Sequence, residues 1–307
     1  MCEKLEFVFY PVPPYNFDIS ASIFTGGDRE IRIYNNGIFR QSFCRTERRF
    51  ILEIKSSGTT ENPELKCRIL SDSPELKGVT ENMKEFVSTI FNLDDNLVPF
   101  YDRVRDDPVL AVIIPKLYGL KPPTTPTVFE ALVDSIIEQQ ISLSVAHRLQ
   151  NRLIKLFGDT ITCGDTTGYC YPTPERLAKA DIPQFRATGL TNRKGEYIRD
   201  ISAAIVAGDI DPEELKREND TVEIIRYLRS IRGIGRWTAE LTVIRGMHRL
   251  DAFPADDVGF QRIISCFYFN GRKISADETR DLAGRWGEWQ GLAGFYLEMA
   301  ELRGITP

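Results

Sequence analysis

The sequence predicts an α+β protein: a small N-terminal antiparallel β-sheet domain over residues 1–78, then an all-helical body over 79–307, with a division into two helical subdomains left open. Three observations carry this. Alternating or β-branched runs fill residues 5–71, separated by Gly, Asn and Pro. After Ser73-Pro74 the apolar residues recur at helical spacing. Capping patterns then precede one run after another.

Strands are expected at Leu5–Tyr10, Glu30–Tyr34, Gly37–Cys44, Arg48–Ser56 and Leu65–Ser71, with Asn35-Asn36-Gly37 as a hairpin turn. The first helix runs from Thr80 to Asn92, with apolar residues at 83, 86, 87, 90 and 91. Short helices fill 94 to 118. The connector from Leu120 to Pro126 is stiff because proline fixes φ and donates no hydrogen bond. Thr127 and Glu130 have capping-box spacing before a helix that Gln139-Gln140 interrupts. A second helix runs from 144 to 157 and stops near Gly158. Thr173-Pro174 opens the next. Further helices are expected at Leu190–Ala207, from Asp220 to Ser230, at Gly235–Gly246, at Asp256–Phe269, after Ser275, and at Gly291–Leu302.

The 307 residues are 42% apolar, enough for two or three domains. No apolar run reaches the about 18 residues a membrane span needs. The N-terminus lacks the order of a signal peptide, so a cytoplasmic or nucleoid-associated monomer is expected. Six cysteines include no Cys-x-x-Cys, and His147 and His248 are the two histidines. Structural zinc and iron–sulfur sites are therefore not supported, and buried reduced thiols are expected. The net charge of −5 weighs against a nucleic-acid partner. Its distribution weighs the other way. Residues 226–249 hold six arginines against one acid, Glu240.

Within that basic stretch, Gly233-Ile234-Gly235 lies between two predicted helices and is flanked by Arg232 and Arg236. Glycine permits positive φ and close backbone approach, and a helix N-terminus offers amides to a phosphate. A tight turn with incidental arginines is the plain alternative. Downstream, Phe253-Pro-Ala-Asp256-Asp257 precedes a helix. One aspartate suffices to cap it, and the other is available for chemistry. Two capping or surface acids are the alternative there. No lysine occurs between Lys216 and Lys273.

The run Leu228-Arg-Ser-Ile231-Arg-Gly-Ile-Gly-Arg-Trp237-Thr-Ala239 resembles the hairpin of the helix-hairpin-helix DNA glycosylase superfamily, in its AlkA-type DNA-3-methyladenine glycosylase II branch. The resemblance is strong over 128–146 and 228–262 and weak in the sheet domain. It implies a duplex-DNA partner containing damaged bases and hydrolysis of the N-glycosidic bond of alkylated bases after base flipping. It requires no cofactor. Backbone carbonyls of Arg229, Ile231 and Ile234 would hold a monovalent cation. Asp257 would be the catalytic carboxylate and Asp256 the cap. Trp237 stands where lyases of the superfamily carry a lysine nucleophile, which implies no lyase step. Gln139 and Gln140 match the segment that holds the opened pair and fills the gap. Pocket candidates are Trp237, Ile23, Phe24, Leu241, Phe295 and Glu298, with Tyr296 a weaker one. Leu241 and Glu298 depart from the family's aromatic pocket residues, a departure that bears on substrate range more than on the reaction. Two other readings stay open: a glycosylase for oxidised or deaminated purines, and a non-catalytic DNA-binding module.

Overall fold

A computed structural model describes residues 2–45, 48–72 and 80–306. The expected domain boundary at 78/79 and the Ser73-Pro74 break lie outside the described residues. Among them, β1 (Glu3–Phe9), β2 (Arg32–Asn35), β3 (Ile38–Arg45), β4 (Arg48–Ser56) and β5 (Leu65–Ser71) form one antiparallel sheet in the order β1-β5-β4-β3-β2. The β2–β3 turn is the expected Asn36-Gly37, with φ of 51° and 73°. Positive φ at both central residues matches the twist of the flanking strands. Between β1 and β2 the chain forms α1 (Phe17–Ala21), capped by Asn16, and a 3₁₀ turn, Ser22–Phe24. That excursion brings Ile23 and Phe24 out of the sheet.

One face of the sheet packs Phe39, Phe50, Leu52 and Ile54 against Met83, Phe86, Val87 and Ile90 of α2 (Thr80–Phe91). The other face is covered too, since every residue from Phe50 to Ile54 is buried. The cover corrects the expectation of an all-helical body after residue 80. β6 (Thr160–Cys163) and β7 (Thr166–Tyr169) form a hairpin, and Ile161, Cys163 and Cys170 pack on Ile51. Four-residue strands are too short for periodicity to register, although Gly164-Asp165 was a turn signal. The hairpin also corrects the expectation of reduced thiols. Cys2 and Cys163, 161 residues apart, are joined as a disulfide between the sheet and the helical body. Cys67 and Cys170 are buried, and Cys266 is exposed.

The helices follow the predicted punctuation. They are α3 (Val98–Arg103), α4 (Leu110–Ile113), α5 (Val128–Glu138), α6 (Leu143–Phe157), α7 (Pro174–Ala178), α8 (Ile182–Ala187), α9 (Asn192–Ala207), α10 (Thr221–Ser230), α11 (Arg236–Met247), α12 (Val258–Tyr268), α13 (Ala276–Gly284) and α14 (Gln290–Leu302). Thr127, Thr173, Asp220 and Ser275 each cap the helix expected of them. Only part of the capping-box spacing is used. Ser275 and Glu278 cap reciprocally, but Glu130 takes the Thr127 hydroxyl and Glu223 pairs with Arg226.

Two helical cores result. One is built from Leu132, Ile136, Leu153, Ile198, Leu228 and Val243. The other is built from Phe100, Leu110, Phe253, Ile264, Trp286 and Leu297. They leave a cleft of about 1460 Å³, which the sheet domain helps to line. No helix among the described residues is long and apolar enough to cross a membrane.

Candidate active site

The floor of the cleft is set by how α12 starts. Pro254 to Asp257 makes a turn in which the Asp257 amide donates to the Pro254 carbonyl at 2.9 Å. The turn delivers Asp257, not Asp256, to the N-cap, where its Oδ1 accepts from the Phe260 amide at 3.0 Å. This corrects the assignment of the cap to Asp256. Asp256 is exposed instead and lies 3.6 Å from Arg280 Nη2. Capping does not exhaust the Asp257 carboxylate. Its Oδ2 accepts from the indole Nε1 of Trp237 at 2.6 Å. Charge-assisted bonds of this kind are short and directional, so the two donors fix the plane of the carboxylate. An ionised carboxylate has about four acceptor sites, so two remain for other partners.

Trp237 sits on the first turn of α11, directly after the glycine turn. Gly233 has φ 94°, and a Cβ there would lie 2.4 Å from the Tyr197 ring. Only glycine allows that approach. Gly235 is the N-cap of α11 at ordinary negative φ, with no side-chain cap and open space before it. The leading amides of α11 therefore lack a side-chain acceptor, which is the arrangement that receives an anion. Ile234 is buried beneath the turn.

The two glutamines serve different ends. Gln139 donates its amide Nε2 to the Gly233 carbonyl at 2.9 Å and to the Thr238 hydroxyl at 3.0 Å. It ties the end of α5 to the glycine turn, so its amide donors are spent inside the protein. Lys194 secures the same corner by donating to the Ile137 and Gln139 carbonyls, and burial lowers its pKa. Gln140 is exposed and left-handed, with φ 58°. That conformation costs an L-residue about 1 kcal/mol, and such outliers gather at functional sites.

The basic segment is less free than its composition suggested. Arg232 pairs with Glu196 and Asp200, Arg236 with Glu240, Arg226 with Glu223, and Arg245 with Glu138 at 2.6 Å. Arg249 donates to the Lys216 and Glu218 carbonyls. Of the six arginines, Arg229 alone has no hydrogen-bonding or ionic partner among the described residues. Most of these acids come from other helices, so local composition could not reveal them. Two are local: Glu223 lies one turn before Arg226 on α10, and Glu240 one turn beyond Arg236 on α11. Glu240 is buried, accepts from both Arg236 and Arg280, and leaves Oε2 unpartnered. Burial raises its pKa against the pull of the two guanidiniums. Arg280 also reaches Asp256 and the Phe253 carbonyl, which braces the turn that carries Asp257.

Ile23, Phe24, Trp237, Leu241, Phe295 and Glu298 all line the cleft. Tyr296 does not. It is fully buried, donates to the Leu120 carbonyl and bonds Tyr101, so it is excluded as a stacking surface. The cleft also holds groups that periodicity did not single out. Glu130, Asp134 and Glu138 form a row along α5. Tyr171 donates to Asp134 at 2.8 Å. Burial pushes the Glu130 carboxyl up to about 8 and that of Asp134 up to about 6. Their four-residue spacing was the available signal.

Residues 133–288, from inside α5 to just before α14, match the family described as HhH-GPD superfamily base excision DNA repair protein. The chain belongs to the HhH-GPD superfamily. It is 31% identical over 288 residues to a DNA-3-methyladenine glycosylase of Bacillus subtilis (strain 168), a match spanning 92% of this chain and 94% of that protein. A 3-methyladenine DNA-glycosylase from Archaeoglobus fulgidus superposes with a TM-score of 0.83 at 28% identity, covering 98% of this chain and 100% of the other. An 8-oxoguanine glycosylase/lyase from Clostridium acetobutylicum superposes with a TM-score of 0.74 over 97% of this chain and 98% of its own. At 19% identity that likeness concerns the fold. As a DNA N-glycosylase of the HhH-GPD superfamily, the protein acts on alkylated or otherwise modified bases. The family match over 133–288 contains Gln139, the glycine turn and Asp257. It leaves out Ile23, Phe24, Phe295 and Glu298.

Proposed function

We propose that this HhH-GPD protein is a monofunctional DNA glycosylase that releases alkylated bases of the 3-methyladenine type from duplex DNA. The observation that carries the reading is the Asp257 carboxylate held at the cleft by the Trp237 indole. Breaking the N-glycosidic bond builds positive charge on the deoxyribose. A fixed carboxylate at that point stabilises the charge and orients the attacking water. An alkylated base that carries a formal charge leaves with little general-acid help. An indole cannot form a Schiff base, so the lyase route has no nucleophile at Trp237.

The remaining parts have matching tasks. The amides at the start of α11 receive a phosphate of the strand, and Arg229, in the last turn of α10, is the cation left unpaired among the described residues to support it. The carbonyls of Arg229, Ile231 and Ile234 fit a hard monovalent cation, because they are neutral oxygens. Ile231 gives one lone pair to the Ile234 amide at 3.1 Å and keeps the other. Such a cation would add positive charge where the phosphate sits. Gln140, exposed and held left-handed, enters the gap left by the flipped nucleotide, while Gln139 keeps its platform rigid. All these groups come from one chain, which suits a monomer.

The names of the Bacillus and Archaeoglobus relatives support the 3-methyladenine class. The test is a panel of duplexes carrying single alkylated, deaminated or oxidised bases, scored separately for base release and strand cleavage. Release of 3-methyladenine or 7-methylguanine with no β-elimination is expected. Release confined to oxidised purines would replace this reading with the alternative enzyme. Duplex binding without release would make the protein a binding module.

A further inference from the structure

The carboxylates that line the cleft are nearly all spoken for. Asp134 accepts from Tyr171, Glu138 from Arg245 and Gln150, and Asp257 from Trp237 and Phe260. Asp256 faces Arg280, and Glu301 is bound by Arg262. Glu298 is different. It lies on α14 one turn beyond Phe295, half-buried in the same cleft, and among the described residues it has neither a hydrogen bond nor an ion pair. The cation that acts on it, Arg245, is committed to Glu138 at 2.6 Å. Burial raises its pKa; Arg245 opposes this, while Asp257 and Glu138 add to it.

Taking a carboxylate partly out of water without a partner costs free energy that nothing in the chain repays. A ligand carrying a cation or a hydrogen-bond donor would supply the missing partner. Trp237, Phe295 and Glu298 line the same cleft, the one a flipped purine would enter. We propose that Glu298 is a specificity-determining residue of the base pocket, whose carboxylate meets the positive charge and amino edge of an N-alkylated purine and so favours cationic bases over neutral damaged ones. The proposal rests on the glycosylase reading above and assigns its substrate class to one side chain. A cationic base neutralises the carboxylate where water is thin and charges interact strongly. A neutral base leaves it unpaired, and the site then rejects that base by the cost of the unpaired group.

The test is single-turnover excision of 7-methylguanine, a cation in DNA, and of hypoxanthine, a neutral base, from duplexes of one sequence. Wild type and Glu298→Gln are compared. The amide keeps the shape and removes the charge. The cationic-to-neutral rate ratio is expected to fall by about tenfold or more in the variant. A loss of packing would slow both substrates and leave the ratio alone. A ratio that is unchanged or raised overturns the proposal. So does a wild-type preference for hypoxanthine, which would mean that a protonated Glu298 donates to a carbonyl-bearing base. Failure of wild type to release 7-methylguanine or any other alkylated base would overturn the glycosylase reading along with it. A second measurement does not depend on the variant folding. Wild type should be inhibited about tenfold more tightly by the 7,9-dimethylguaninium cation than by 9-methylguanine. Equal inhibition by the two overturns the assignment of Glu298.

Discussion

At Asp257 one carboxylate has two duties. One oxygen terminates α12 and the other accepts the Trp237 indole N–H at 2.6 Å. This makes the helix a rigid mount for the carboxylate, which is what the electrostatic role proposed for it needs. On the proposed reading, Trp237 orients the carboxylate in addition to offering a ring face to the base. Trp237→Phe keeps most of that face and deletes the donor. Base release in single turnover should drop about tenfold to a hundredfold, since hydrogen bonds to charged groups are worth about 1.5–3 kcal/mol. Affinity for a duplex with an abasic analogue should hardly move. Equal losses in both would mean that Trp237 acts through DNA binding instead. The pair Asp256-Asp257 also marks the reach of sequence reasoning. The spacing said that one aspartate caps and the other is spare. Which one caps depends on the Pro254–Asp257 turn, and adjacent identical residues carry no signal for that. The structure gives Asp257 both the cap and the place beside Trp237.

The hairpin between α10 and α11 is a fixed contact surface. Gly233 packs its backbone on Tyr197, Gln139 bonds its carbonyl, and Gly235 leaves the α11 amides uncovered. Gly233→Ala combines a left-handed residue with a Cβ 2.4 Å from a ring. The expected loss of stability is about 2–4 kcal/mol, from conformational strain plus overpacking. Duplex affinity should weaken as the turn shifts, and the sequence-matched Gly235→Ala variant, with open space at its Cβ, should lose much less stability. Similar denaturation midpoints for the two variants would contradict this account of the turn. The glycines and the caps at Thr127, Thr173, Asp220 and Ser275 were legible because their causes are local. The ion pairs were not. Arg232 meets acids from α9, and Arg245 meets an acid from α5, more than a hundred residues earlier. A stretch that looked basic is largely neutralised once folded, which is why the proposed phosphate contact rests on the α11 amides and Arg229.

Over the whole molecule, the cleft exists because the sheet domain closes against a helical body with two cores. The Cys2–Cys163 disulfide and the β6–β7 hairpin join them on the outer side of the sheet. Both escaped prediction for the same reason: short strands and a pairing across 161 residues leave no periodic trace. The pocket candidates were all placed by resemblance: Trp237 and Leu241 lie inside the family-matched region, 133–288, and Ile23, Phe24, Phe295 and Glu298 lie outside it. Closure also buries Glu130 and Asp134. Their folded pKa values, about 8 and about 6, stand above the ordinary 4.5 and 3.8. The folded state therefore holds protons that the unfolded chain releases. By linkage, stability should fall as pH rises from about 4.5 to about 8. Glu130→Gln has no proton to hold, so its chemical denaturation midpoint should fall less over that window. Parallel curves for the variant and wild type would contradict the burial of this carboxyl.

Removing the negative charge at Asp257 tests the central claim most directly. Asp257→Asn and Asp256→Asn should be compared with wild type for release of 7-methylguanine in single turnover and for affinity to a duplex with an abasic analogue. Asp257→Asn should lose at least about a hundredfold in release, the scale of a lost electrostatic contact at a developing charge, while keeping duplex affinity. Asp256→Asn should lose far less. Undiminished release by Asp257→Asn, or a collapse of release only in Asp256→Asn with affinity intact, would contradict the account.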